Sequence, residues 1–251
     1  MGDADVMAPE MRVKRFWDSA TVAPSAAGHA ILLDGKPMHL PGGGVLRVSA
    51  EPLARAIAQE WQTAGGGKGG EMSFGDTPLT RLAGTAQQRV APDPRPTIDA
   101  IARYAESDLL CYRADAPEAL VRRQAREWQP WLDWAALTYD APLRIGTGVG
   151  YVQQSRGSVA ALHNVVARFD VAALAALGVA VPAIGSLVLG LALAEGRLDA
   201  DTAYALGCLD ELFQAEAWGE DAEAAVRRRS IAADIALAAR FLQLTRGTPE
   251  P

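Results

Sequence analysis

Cysteine is nearly absent: Cys111 and Cys208 are the only two in 251 residues, and they lie far apart along the chain. Two thiols cannot form a disulfide framework, and they suit a reducing compartment. Histidine is as scarce, at His29, His39 and His163. None stands at metal-ligand spacing from another histidine, a cysteine or a carboxylate, so no zinc site is expected. The sequence has no G-x-S-x-G elbow, no Rossmann glycines and no EF-hand loop, which removes the usual hydrolase nucleophile and any evident cofactor. Basic residues are not in surplus either. The 24 Lys and Arg against 30 Asp and Glu leave a net charge of −6, which argues against nucleic acid as a partner because phosphate binding needs excess cations. The opening MGDADVMAPEMRVKRFW carries acids and no apolar core, so it reads as neither a secretory signal nor a transit peptide.

One long uncharged run exists, Val171 to Ala194, and its length could span a bilayer. Gly178, Pro182, Gly185 and Gly190 punctuate it, and proline inside a helix costs about 3 kcal/mol. The expectation is two buried helices meeting near Val181, with no membrane insertion. A second run, Thr63 to Gly70, looks like a phosphate loop but lacks both its first glycine, where Gln62 stands, and a Ser or Thr after Lys68. It reads as a flexible loop.

The remaining composition, 49% hydrophobic and 22% charged, is ordinarily globular, and heavy use of Ala, Gly and Arg hints at a GC-rich bacterial genome. After a frayed start at residues 1–11, short extended segments follow from Phe16-Trp17 to Val45–Val48. Asp34-Gly35 is the strongest hairpin signal, because a type I′ turn needs positive φ at both central residues. Ser49 reads as the N-cap of a helix carrying Leu53, Ala56, Ile57, Glu60 and Trp61 on one face. Pro92, Pro94 and Pro96 in alternation forbid a helix interior and mark a domain boundary.

Beyond that boundary the period is helical. Thr97 caps a first helix, Pro117 opens a second and Pro130 a third, with Trp128, Trp131 and Trp134 as a core stripe. Another helix runs from Gln153 to Phe169, one from Leu198-Asp199 to Trp218, and the last from Asp221 to Leu244, before a disordered tail. The fold class is α+β: residues 1–95 form a small antiparallel sheet with a helix, and residues 96–251 form an all-helical domain.

The stretch Asp210 to Arg229 holds six carboxylates as far as Glu223, with Phe213 and Trp218 among them and three arginines behind. Asp221 is placed to cap a new helix, and Glu223 and Arg227 form an i,i+4 pair. The stretch is either a solvated helical hairpin or an acidic, tryptophan-marked surface that receives another protein.

Several phrases together resemble one family: Arg15-Phe16-Trp17, Leu33–Pro37, Leu53–Trp61, Pro78-Leu79-Thr80, and above all Tyr104 with Ser107–Arg113. Gln124, Trp128, Pro130 and Trp134 support it, as do Asp210-Glu211, Gln214, Trp218-Gly219, Asp221, Glu223, Arg228 and Asp234. The family is that of the ATP synthase assembly chaperones that bind the α subunit of the catalytic head. The resemblance covers Arg15 to Leu244. It implies a chaperone without catalysis that holds the unassembled α subunit until the β subunit replaces it. It also implies a bacterial cytoplasmic location, with mitochondrial relatives. Carried over by motif, Asp210, Glu211, Gln214, Trp218 and Asp221 form the partner-binding surface, and Trp61 matters in the N-terminal domain, where it locks its helix to the sheet. Two alternatives stand beside this reading: an enzyme pairing Asp108 with Glu211 in an interdomain cleft, and a carrier of an apolar ligand among the helices of Val171–Ala194.

Overall fold

The computed structural model describes residues 12–26, 28–148 and 150–246. The expected frayed start and most of the disordered tail lie outside them. The chain forms two compact units. One reaches to Arg89 and includes the end of the last helix from Leu244; the other runs from Val90 to Gln243.

The first unit contains β1 (Val13–Lys14), β2 (Ala20–Ser25), β3 (Gly28–Leu33), β4 (Lys36–Pro37) and β5 (Arg47–Val48). Helix α1 (Glu51–Thr63), β6 (Glu71–Met72) and α2 (Pro78–Thr85) complete it. Strand β3 is the hub of an antiparallel sheet, pairing with β2 along its length, with β4 at Leu32 and Leu33, and with β5 at His29 and Ala30. Strands β1 and β6 make a separate antiparallel pair. Asp34 and Gly35 turn β3 into β4 at φ of 48° and 78°, the positive values the sequence required. Ile31 and Leu33 are buried on the sheet, and α1 packs on β2 and β3 with Leu53, Ile57 and Trp61 buried. The N-cap of α1 is Ala50, one residue after Ser49. The Ser49 carbonyl is instead engaged by His29 Nδ1 at 3.3 Å as the chain leaves β5.

Arg15 ties the segment around it to the end of α1. Its buried guanidinium donates to the carbonyls of Gln62 and Ala64, where α1 runs out of intrahelical partners, and to those of Trp17 and Asp18. A cation at a helix C-terminus meets both the orphan carbonyls and the negative end of the dipole. The opposite device opens α2: the Glu60 carboxylate accepts the backbone N–H groups of Leu79 and Thr80 at 2.7 and 3.0 Å. The glycine loop after α1 is also tied down, because Gly69 N–H donates to Arg15 and the Gly70 carbonyl accepts from it. This hydrogen bonding replaces the free loop expected there.

The second unit is helical apart from one parallel pair of two-residue strands. It contains α3 (Arg95–Ala102), β7 (Tyr112–Arg113), α4 (Glu118–Tyr139), β8 (Gly146–Thr147) and α5 (Arg156–Val166). Then follow α6 (Val171–Ile184), α7 (Leu187–Ala194), α8 (Ala200–Gly207), α9 (Leu209–Trp218) and α10 (Ala222–Thr245). Helix α7 is the core: every residue in it is buried, and α4, α6 and α8 pack around it.

Four sequence expectations shift here. Helix α3 begins two residues before Thr97, which lies inside it. Helix α4 runs unbroken through Pro130, which sits on the exposed face, where water can serve the carbonyl left without its N–H partner. The apolar run breaks at Gly185 (φ 77°), whose left-handed backbone ends α6, and Pro182 remains inside the helix. The helix expected from Leu198 to Trp218 is two, parted at Cys208. Among the described residues no helix is long and apolar enough to cross a membrane.

Candidate functional site

Helix α9 and the start of α10 carry the acidic stretch, and most of its charge is used within the chain. Gln124 on α4 is fully buried; its Oε1 accepts the Ala114 N–H at 2.8 Å and its Nε2 donates to Asp210 Oδ1 at 2.7 Å. Glu216 binds Arg123 at 2.6 Å, which lowers the carboxyl pKa. Thus α9 is pinned to α4 at two points, two turns apart. Glu211 pairs with Arg227 at 2.6 Å, so the expected Glu223–Arg227 pair is replaced by one that ties α9 to α10. Arg228, 5% exposed, takes Glu220 at 2.9 Å. Asp221 accepts the Ala224 N–H at 2.8 Å and caps α10 as its position implied.

Fewer side chains of this stretch are left unengaged than its six carboxylates suggest. Trp218 is 77% exposed at the last position of α9, where Gly219 (φ 92°) stops the helix. Gln214 lies one turn earlier, also exposed. Neither side chain makes a hydrogen bond, ion pair or ring contact among the described residues. An indole held in water at that exposure gains nothing for the fold, whereas such side chains dominate the energetics of protein interfaces. Asp210 and Glu211, by contrast, are engaged with Gln124 and with Arg227.

Trp61 belongs to the other unit and is only 9% exposed. Its Nε1 donates to Thr80 Oγ1 at 2.8 Å, its carbonyl accepts from Trp17 Nε1 at 2.9 Å, and the two indoles lie 4.9 Å apart. It joins α1, α2 and the segment that carries Trp17.

The same corner holds a feature that sequence reading missed. A groove of about 850 Å³ is lined by Phe16, Trp17, Met38, Leu40, Phe74 and Trp61, with Lys14, Arg81 and Arg89 also bordering it. Its walls come from five separate stretches of sequence, so no local pattern marks it. The one available signal was Phe16-Trp17: neighbouring side chains in extended chain point opposite ways, and both cannot face one core.

Asp108 is not available for acid–base work. It is fully buried and accepts the N–H groups of Leu110 at 3.1 Å and Val188 at 3.0 Å, capping a short turn and α7 together. Burial raises its carboxyl pKa to about 6 against the pull of those donors. Cys111 is likewise a core thiol, pushed up to about 12 mainly by burial. Among the described residues no group of three or more His, Cys, Asp or Glu could hold a metal ion.

Comparison with known proteins points to a chaperone family. A family model described as ATP12 chaperone protein matches residues 14–136. The crystal structure of Atp12 from Paracoccus denitrificans is 45% identical, with a TM-score of 0.87 over 93% of this chain and 98% of that one. A putative chaperone from Agrobacterium tumefaciens is 38% identical with a TM-score of 0.85, over 92% of this chain and 86% of that one. Mitochondrial Atp12 of Schizosaccharomyces pombe is 23% identical over 230 residues, 85% of this chain and 77% of that protein. The two solved structures share this chain's fold, and the family model and the Agrobacterium protein carry chaperone names. This chain belongs to the ATP12 chaperone family.

Proposed function

We propose that this protein is an ATP synthase assembly chaperone that binds the unassembled α subunit of the catalytic head, prevents its aggregation and yields it to the β subunit. Membership of the ATP12 chaperone family supports the class. The observation that carries the site is Trp218, held 77% exposed at a glycine-stopped helix end whose neighbours Glu216 and Glu220 are already in ion pairs. In this reading Gln214, Trp218 and Asp221 meet the α subunit, Asp210 and Glu211 set the pose of α9, and Trp61 keeps the first unit rigid. The two compact units act as the two domains. The protein works in the cytoplasm of a bacterium, a reducing compartment in keeping with two buried, unbridged thiols.

A chaperone for an assembly interface must cover apolar surface and still leave when the true partner arrives. A single aromatic anchor with a polar surround meets both needs, since few interface residues supply most of the affinity. The test is capture of the α subunit by purified protein. Trp218→Ala and Gln214→Ala should weaken capture without altering the circular dichroism spectrum. Undiminished capture by the double variant contradicts this placement of the site.

A further inference from the structure

The groove of the first unit has no role in the reading above. Its chemistry specifies an occupant. None of the described residues lining it is acidic, although the whole chain carries a net charge of −6. Lys14, Arg81 and Arg89 border it, and among the described residues none of the three is in an ion pair. Phe16 is 70% exposed there, and its orientation is imposed from both sides. Arg15 is bound to four carbonyls and Trp17 to the Trp61 carbonyl, so the residue between them is turned outward. The fold thus holds an aromatic ring at the mouth of an apolar groove and gathers unpaired cations around it.

We infer that this groove is a second docking site, and that it takes an extended apolar segment of a client protein bearing Asp or Glu at alternate positions. Alternation follows from strand geometry: residues facing the groove contact Phe16, Met38, Leu40 and Phe74, while their neighbours face outward toward Lys14, Arg81 and Arg89. The cations select acidic over basic segments and speed encounter more than they add affinity. This inference rests on the chaperone reading only in taking the occupant to be protein. The groove is formed entirely within the first unit, and Trp218 belongs to the second.

The test is fluorescence anisotropy with the full chain and two short labelled peptides, one alternating leucine with glutamate and the other leucine with lysine. The glutamate peptide should bind, and the lysine peptide should bind at least about tenfold more weakly at low salt. Phe16→Ala should weaken the glutamate peptide about tenfold, as expected for truncating an interface anchor. Arg81→Glu should weaken it less and flatten its salt dependence. Both residues tested, Phe16 and Arg81, lie on the surface, so the variants should fold. Equal binding of the two peptides, or binding unchanged in both variants, overturns the inference. So does tight competition by decanoate, which makes the groove a fatty-acid site, or a dimer that the same variants dissolve. Because these titrations contain no α subunit, they can fail while α-subunit capture persists, and the reverse outcome is equally distinct.

Discussion

Replacing Asp210 with alanine distinguishes a residue that supports the proposed surface from one that forms it. Gln124 is fully buried, and both ends of its amide are used: Oε1 by Ala114 and Nε2 by Asp210 at 2.7 Å. Asp210→Ala leaves a buried amide N–H without an acceptor, a loss of about 1–3 kcal/mol. Asp210 is itself half-exposed, so water can reach part of the vacated space and the lower half of that range applies, about 1–2 kcal/mol. At roughly 1.4 kcal/mol per tenfold change in equilibrium, urea unfolding followed by circular dichroism resolves such a loss. Trp218→Ala, by contrast, should stay within about 0.5 kcal/mol of the wild type, because the ring touches little of the fold. If Asp210→Ala unfolds at the wild-type midpoint, the Gln124 link is not holding α9, and Asp210 returns to the list of direct contacts.

Three further outcomes follow from named contacts. Asp108 has a folded pKa raised to about 6 from 3.8, so its ionised form is penalised in the folded state. That penalty is about 3 kcal/mol at neutral pH and disappears as pH falls through 6 toward 4. The stability of the wild type relative to Asp108→Asn should therefore rise over that window; a flat difference would show the carboxyl is not desolvated. Gly28→Ala should cost about 2 kcal/mol or more, since a Cβ there would lie 2.4 Å from the Val48 carbonyl oxygen at a φ of 105°; a wild-type thermal midpoint would contradict the register of β3 against β5. Trp61→Phe removes the bond to Thr80 and part of a buried ring, about 2 kcal/mol in chemical denaturation. It should leave α-subunit capture at permissive temperature intact, and loss of capture with full stability would make Trp61 a contact.

Local chemistry was legible in the sequence wherever one residue's backbone needs decide the structure. Asp34-Gly35 made its turn, Trp218-Gly219 ended a helix and Asp221 capped the next. Errors arose where tertiary surroundings outweighed a local rule. Pro130 did not start a helix, because its missing donor falls on the solvent side of α4. Pro182 did not divide the apolar run, because Gly185 supplies a left-handed residue three positions later. Glu223 lost Arg227 to Glu211, a partner brought close only by the α9–α10 turn. The motif Asp108–Arg113 stood out in sequence, but its work is internal: Asp108 caps α7, and Arg113 donates to the Leu110 and Gln124 carbonyls. The groove went unseen because Phe16, Met38, Leu40 and Phe74 meet only in three dimensions.

The central claim is tested most directly by co-expressing this chain with the α subunit of ATP synthase from the same source and then adding the β subunit. The account predicts that α stays soluble in a defined complex, that β displaces this protein from it, and that Trp218→Ala lowers the yield of complex. Aggregated α beside a folded, solitary partner, or a complex that β leaves untouched, would contradict it.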